Sequence, residues 1–298
     1  MKKDTFTKDY KKFPVQYYPK NIKNYYFNEA NRVPLLNKKT KIVSMGSCFA
    51  LHIASYLKKN KYNYLVGEKY FRYLTSADWD MVFNTSCMKQ IFQYSFESFS
   101  PLVRWWDRGD VMDDPFRRQI SYPKGSHETE LKKHINASHK VLSEAEIIVL
   151  TLGLVEVWRD KRDKATFWRT PPINLLDENI HEFHIMNEEE CFNDLQEIHN
   201  LLNKYNPKSK IILTVSPVPL RATFRTDVDP VSANVCSKSA LRCAAERFTS
   251  IHDNVYYFPS FEFVVFGFGN PYQERDNMHV KQDVIDTMMK YFERRYVT

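Results

Sequence analysis

The apolar positions of this chain fall into two patterns, short unbroken runs and stripes at helical spacing. Ile42-Val43 opens the first run, which suits a buried strand. Gly46-Ser47-Cys48 follows, and then Phe49, Ile53, Tyr56 and Leu57 recur as on one face of a helix. The pattern predicts strand, tight turn, helix. Tyr62 to Val66 reads as a second strand. Met88, Ile91, Phe92, Tyr94 and Phe96 form a helix-like run, with Asn84 or Thr85 as its cap. Glu128 to Ser143 reads as a helix, and Glu146 to Gly153 as the clearest central parallel strand.

Asn187 to Tyr205 is predicted as a helix capped by Asn187, with Glu188 to Glu190 suited to its first turn. Ser209 to Val215 is another buried strand, stopped by Pro217 and Pro219. Ser232 to Ile251 reads as a helix, Val255 to Phe258 as a strand and Val280 to Tyr296 as the closing helix. Repeating β-α-β-α order implies an α/β fold, a three-layer α/β/α sandwich with a mainly parallel central sheet. No linker divides it, so residues 1–298 read as one domain. Residues 1–40 read as an irregular arm, anchored by Phe13, Tyr17, Tyr18, Tyr25, Tyr26 and Phe27. Two irregular insertions, at about 100–126 and 156–186, have the character of lids or binding loops.

Composition narrows the class. Hydrophobic residues make up 43% of the 298 positions, enough for a substantial core. The formal charge is 43 − 36 = +7, but the basic residues are scattered and resemble no nucleic-acid module. A solvated surface is the plain reading of that charge. An acidic partner, such as an anionic glycan or a phosphate-bearing donor, is the other. Five cysteines without C-x-x-C spacing disfavour a disulfide framework and a zinc site. His181 and His184 flank Glu182 but lack a third ligand, so no metal is expected. No apolar run is long enough to span a bilayer, and the N-terminus lacks an apolar signal core. The expectation is a soluble cytoplasmic protein, or a soluble piece of a larger one.

The chemistry gathers at the first turn. Ser47 falls at the C-terminal edge of a parallel sheet, where open α/β sheets bind ligands. It also begins a helix, whose free N–H groups suit an oxyanion. A plain helix cap is the competing reading of Ser47.

Gly46-Ser47-Cys48-Phe49-Ala50 spells the signature of the GSCFA family, a branch of the SGNH (GDSL-like) hydrolase superfamily. Thr151 to Trp158, Thr214 to Pro219 and Asp276-Asn-Met-His279 resemble that family too, in the expected order. The resemblance implies an SGNH-like, flavodoxin-like sandwich and a serine mechanism. Ser47 would be the nucleophile, His279 the general acid/base and Asp276 its orienter. A surface histidine and a loop carboxylate are the competing readings. Cys48, after the nucleophile, would pack toward the core rather than react.

For the oxyanion, the resemblance implies the N–H of Ser47 together with a backbone glycine and an asparagine after the central strand. Here that segment reads Gly153-Leu154-Val155-Glu156, and Val155 cannot donate. Asn84 is the candidate replacement, unless it only caps its helix. Gly46, Gly153, Glu156 and Trp158 complete the candidate oxyanion and substrate residues. Glu156 would bind a hydroxyl, hold a loop or pair with an arginine. Trp158, Trp105 and Trp106 would form a sugar-stacking wall or simply pack loops. Ser216 shapes a pocket floor, and Lys238 reads as a solvated lysine.

The resulting expectation is an esterase or deacetylase acting on an O-acylated carbohydrate or similar ester, without a cofactor. An O-acyltransferase taking acetyl-CoA as co-substrate, acting on a bacterial polysaccharide, uses the same residues. A non-catalytic glycan-binding domain is the third reading, favoured by Val155. A small molecule or glycan is the expected partner, and the sequence does not disclose the oligomeric state.

Overall fold

The computed structural model describes residues 17–29, 32–68 and 75–298; Phe13 of the expected arm lies outside them. In chain order the elements are α1 (Ile22–Glu29), β1 (Ile42–Gly46), α2 (Cys48–Lys59), α3 (Thr85–Phe96), β2 (Trp106–Asp107), β3 (Val111–Asp113) and β4 (Ser121–Pro123). There follow α4 (His127–Glu144), β5 (Ile147–Leu152), β6 (Glu156–Asp160), β7 (Thr166–Phe167), β8 (His181–Ile185), α5 (Glu188–Tyr205) and β9 (Lys210–Val215). The last are α6 (Pro230–Ile251), β10 (Val255–Tyr257), α7 (Ser260–Gly267) and α8 (Gln282–Tyr296).

Four parallel strands form the central sheet in the order β1-β5-β9-β10. β1 and β5 are buried at every position, which explains why they read as unbroken apolar runs. Side chains alternate between two core layers. Val43, Met45, Ile148 and Leu150 join the layer under α3, α4, α5 and α6. Ile42, Ile147, Val149 and Ile212 join the layer under α2, α7 and α8. This is a three-layer α/β/α sandwich. Fully burying one such aliphatic or aromatic side chain contributes about 1.5–3 kcal/mol, and α8 alone buries Ile285, Met288, Met289 and Phe292.

Several expectations change. Tyr62 to Val66 is no full strand: Tyr64 bridges Ile42 in parallel, at a single position. The arm is not wholly irregular, because it carries α1, whose Tyr26 and Phe27 rings meet Phe263 and Tyr291 at 5.3–6.1 Å. Tyr17 and Tyr18 are exposed and anchor nothing. The insertions are ordered as two antiparallel three-stranded sheets, β2-β3-β4 and β7-β6-β8. Their strands are mostly two or three residues long, too short to leave a periodic signal. α7 was not foreseen, since Ser260–Gly267 is apolar on most sides and carries no stripe.

Asn187 forms a full capping box with Glu190, as the acidic first turn implied. α6 starts two residues before the expected Ser232, because Asp229 caps it and Pro230 occupies its first turn.

The topology fixes where a site can form. From β1 the chain passes to Tyr64 on one flank and later returns to β5 on the other. Strand order therefore reverses beside β1, and the crevice at that point opens at the C-terminal strand ends. Gly46 and Thr151 are register partners there.

Candidate active site

Ser47 is the N-cap of α2, with φ −64° and ψ 178°. Its Oγ accepts from Phe49 N at 3.3 Å, and its own N–H donates to Thr151 O at 3.2 Å. The preceding Gly46 has φ +145°, and a Cβ there would lie 2.3 Å from Thr151 O. Only glycine fits that backbone, so the sharp exit from β1 requires it. The helix end directs its partial positive charge at the serine. Cys48 is partly buried, and burial pushes its thiol up from the ordinary value, so the thiolate is disfavoured.

A second segment crosses the same edge. Val82 N donates to Gly46 O at 2.8 Å. Phe83 O then accepts from Gly153 N at 3.0 Å and Leu154 N at 2.7 Å. Asn84 caps α3, its Oδ1 accepting from Cys87 N at 2.8 Å. With the oxygen so engaged, the amide NH2 is the donor end of that side chain.

Two expected oxyanion donors are therefore already committed, Ser47 N–H to Thr151 O and Gly153 N–H to Phe83 O. Gly153 instead gives close approach: a Cβ on it would sit 2.7 Å from Phe83 O and 3.3 Å from Ser47 Cβ. Val155 is buried in the core. Ser216 is buried as well, its Oγ accepting from Val218 N at 3.2 Å.

His279 and Asp276 occupy the turn before α8. His279 Nδ1 lies 2.7 Å from Asp276 Oδ2, while Asp276 Oδ1 accepts from Met278 N at 2.9 Å and His279 N at 3.0 Å. These bonds, from backbone and imidazole, hold the Asp276 carboxyl well below the usual carboxylate range. The turn is tied to the sheet edge where Tyr272 Oη donates to Pro217 O at 2.9 Å, just past β9. On α2, burial and then the charge of His279 push the His52 imidazole down from its ordinary value. Among the described residues, no hydrogen bond joins Ser47 Oγ to His279; the serine hydroxyl is held by Phe49 N.

The remaining candidates divide. Glu156 Oε1 accepts from Thr223 Oγ1 at 2.7 Å and so holds the loop after β9. Arg159 bonds Glu182 rather than Glu156. Trp158 stacks edge-on to Phe224 at 5.3 Å and meets Phe183 at 5.9 Å, with Phe224 exposed. The three expected tryptophans do not make one wall. Trp106 is buried against Phe167, while Trp105, just before β2, meets Tyr122 and His127. His181 and His184 bond Asp177 N and Glu190.

Lys238 overturns its expectation most clearly. It is 2% exposed, and its Nζ donates to Gly153 O and Val218 O, both at 2.9 Å. The sequence held a signal for this. Lys238 falls three residues before Leu241 on the stripe of Ala233, Leu241, Ala244, Ala245 and Phe248. The Asp80–Arg118 pair, joined at 2.8 Å, leaves no mark in the sequence. Asp80 lies just upstream of the crossing segment with φ +53°, and no periodicity marks it.

No helix among the described residues is long and apolar enough to cross a membrane. Among solved structures the chain is similar to a carbohydrate esterase family 3 protein from Talaromyces cellulolyticus, at 10% identity and TM-score 0.41, covering 85% of this chain and 94% of that one. It is similar to a mutant acetyl esterase with acetate ion, at 10% identity and TM-score 0.39, covering 85% and 93%. An acetyl xylan esterase from Butyrivibrio proteoclasticus gives 10% identity and TM-score 0.30, covering 77% and 57%. A search of curated proteins finds no match. The profile of the GSCFA family matches residues 41–292, most of the chain, with Ser47 and His279 both inside it: the protein belongs to the GSCFA family.

Proposed function

We propose that the protein is a serine esterase acting on an O-acylated carbohydrate or a similar ester. The observation that carries this is the Asp276–His279 pair, docked through Tyr272 and Pro217 on the sheet edge that also bears Ser47. In the proposed reaction His279 takes the Ser47 proton at Nε2 while Oγ attacks the ester carbonyl. Asp276, fixed at Nδ1, selects that tautomer and stabilises the imidazolium. The alkoxide leaves with the proton from Nε2, and water then releases the acyl group by the same steps in reverse. The Asn84 amide is the proposed side-chain donor to the oxyanion, assisted by the positive end of α2.

A fluorophosphonate probe tests this directly, because an activated serine displaces its fluoride and an ordinary serine does not. Wild type should label and hydrolyse p-nitrophenyl acetate, and Ser47→Ala should do neither. A wild type inert in both assays leaves the reading without support and favours a binding domain on the same scaffold.

A further inference from the structure

We propose that Lys238 is a positioning residue of the Ser47 site, clamping two strand-end loops together and holding a positive charge beneath the serine. The proposal rests on the serine-esterase reading and extends it to how that site is held and regulated.

Lysine is rarely buried unless paired with an acid. Lys238 is buried on α6, and no carboxylate forms an ion pair with it among the described residues. Its Nζ instead donates to two main-chain carbonyls, Gly153 O after β5 and Val218 O after β9. Gly153 lies against the nucleophile, since a Cβ added to it would sit 3.3 Å from Ser47 Cβ. One ammonium thus fixes the floor under the nucleophile and the loop beside it.

The charged neighbours are accounted for. From α2, the Cys48 thiol faces Lys238 and feels its charge. Arg118, in the first insertion, acts on the same thiol. Farther along α6, Arg242 is committed to Glu246 and Glu262, and Arg247 pairs with Glu188 of α5. On β10, the Tyr257 hydroxyl bonds Glu262. Burial pushes the Lys238 amine down to about 7.

A neutral amine still has two hydrogens for two carbonyls, so titration removes the charge while the clamp stays. The charge favours the anionic tetrahedral state next to Ser47. Activity should therefore decline as pH rises through the Lys238 transition.

The experiment is a pH profile of kcat and KM for p-nitrophenyl acetate, alongside fluorophosphonate labelling. Wild type should show an alkaline decline with a midpoint near pH 7. Lys238→Met should lack that limb and lose roughly tenfold in kcat below it, with KM little changed. Lys238→Arg, which stays charged, should carry the decline beyond about pH 9. A folded Lys238→Met with wild-type kcat and profile overturns the proposal. If Lys238→Met does not fold, a wild type without the alkaline limb overturns it alone. Labelling separates the two ideas: a wild type that labels but has no limb refutes only the role of Lys238, while one that never labels refutes both.

Discussion

Asp276 and His279 face each other across a single turn, with Nδ1 and Oδ2 2.7 Å apart, and the same carboxylate also closes that turn through two backbone N–H groups. Orientation of the imidazole and folding of the loop are thus one structural event. Removing the charge and removing the ring should have separable effects. His279→Ala is expected to lower kcat by about 10³-fold or more. Asp276→Asn, which keeps an oxygen for the backbone donors, is expected to lose less, about 10²-fold. Steady-state kinetics with unchanged KM checks both. Equal losses would mean that the carboxylate matters as much as the base.

Asn84 both caps α3 and is the proposed oxyanion donor, and two substitutions separate these roles. Asn84→Asp keeps the oxygen that accepts from Cys87 N, so the cap survives. Asn84→Ala loses it, at a cost of about 1 kcal/mol in stability. Both should lower kcat by about 10²-fold, because both lack the amide N–H. Urea unfolding and turnover, measured on the same samples, give the answer. An active Asn84→Asp would remove the amide from the mechanism.

Gly46→Ala should be among the most damaging single-methyl changes in the chain. The backbone φ of +145° is strained for any side chain, and the new Cβ would meet the carbonyl of Thr151 at 2.3 Å. The strain alone is worth about 1–3 kcal/mol. A lowered urea midpoint with loss of serine labelling is expected. A variant as stable as wild type would mean that the β1 exit can relax.

Stability should fall on mild acidification through His134. Its Nδ1 faces Glu68 at 2.9 Å and its Nε2 faces the Tyr94 hydroxyl at 2.8 Å, in full burial. Burial, then the nearby Arg117 charge, push the imidazole down to about 4. Between about pH 6.5 and 4 the unfolded chain binds a proton that the folded one does not. Folding free energy should therefore shrink as pH drops through that window. His134→Gln should lie lower at pH 7 yet show a shallower slope between pH 7 and 5 by urea denaturation. Parallel slopes would assign the acid sensitivity elsewhere.

The parts of the fold legible in the sequence are those where one strand or helix face decides the pattern. β5 is buried on both faces and reads as an unbroken run; α5 shows its cap, its acids and its stripe together. Ser47, Asp276 and His279 are singled out by a family spelling, and their roles are the proposal made above. What escaped was settled by contacts between distant segments. Gly153 cannot be known as a committed donor until Phe83 O arrives 70 residues from the other direction in sequence. The tether at Tyr64 looked like a strand because local β-propensity is blind to how few neighbours pair with it. The charge of Lys238 suggests solvent, but its place on the buried stripe of α6 decides its surroundings.

Each insertion carries its own small ladder, and neither shares a backbone rung with the four central strands. The β7 hairpin is instead moored to α3 by side chains: Gln90 gives Nε2–H to Thr166 O at 2.8 Å and takes Thr166 N at 2.6 Å, standing in for a missing strand, and Ser86 Oγ meets Thr166 Oγ1 at 2.8 Å. Such appendages can be trimmed, enlarged or exchanged over generations while the register of β1, β5 and β9 stays untouched. Relatives built this way would share a reaction centre yet differ freely in what they grip around it.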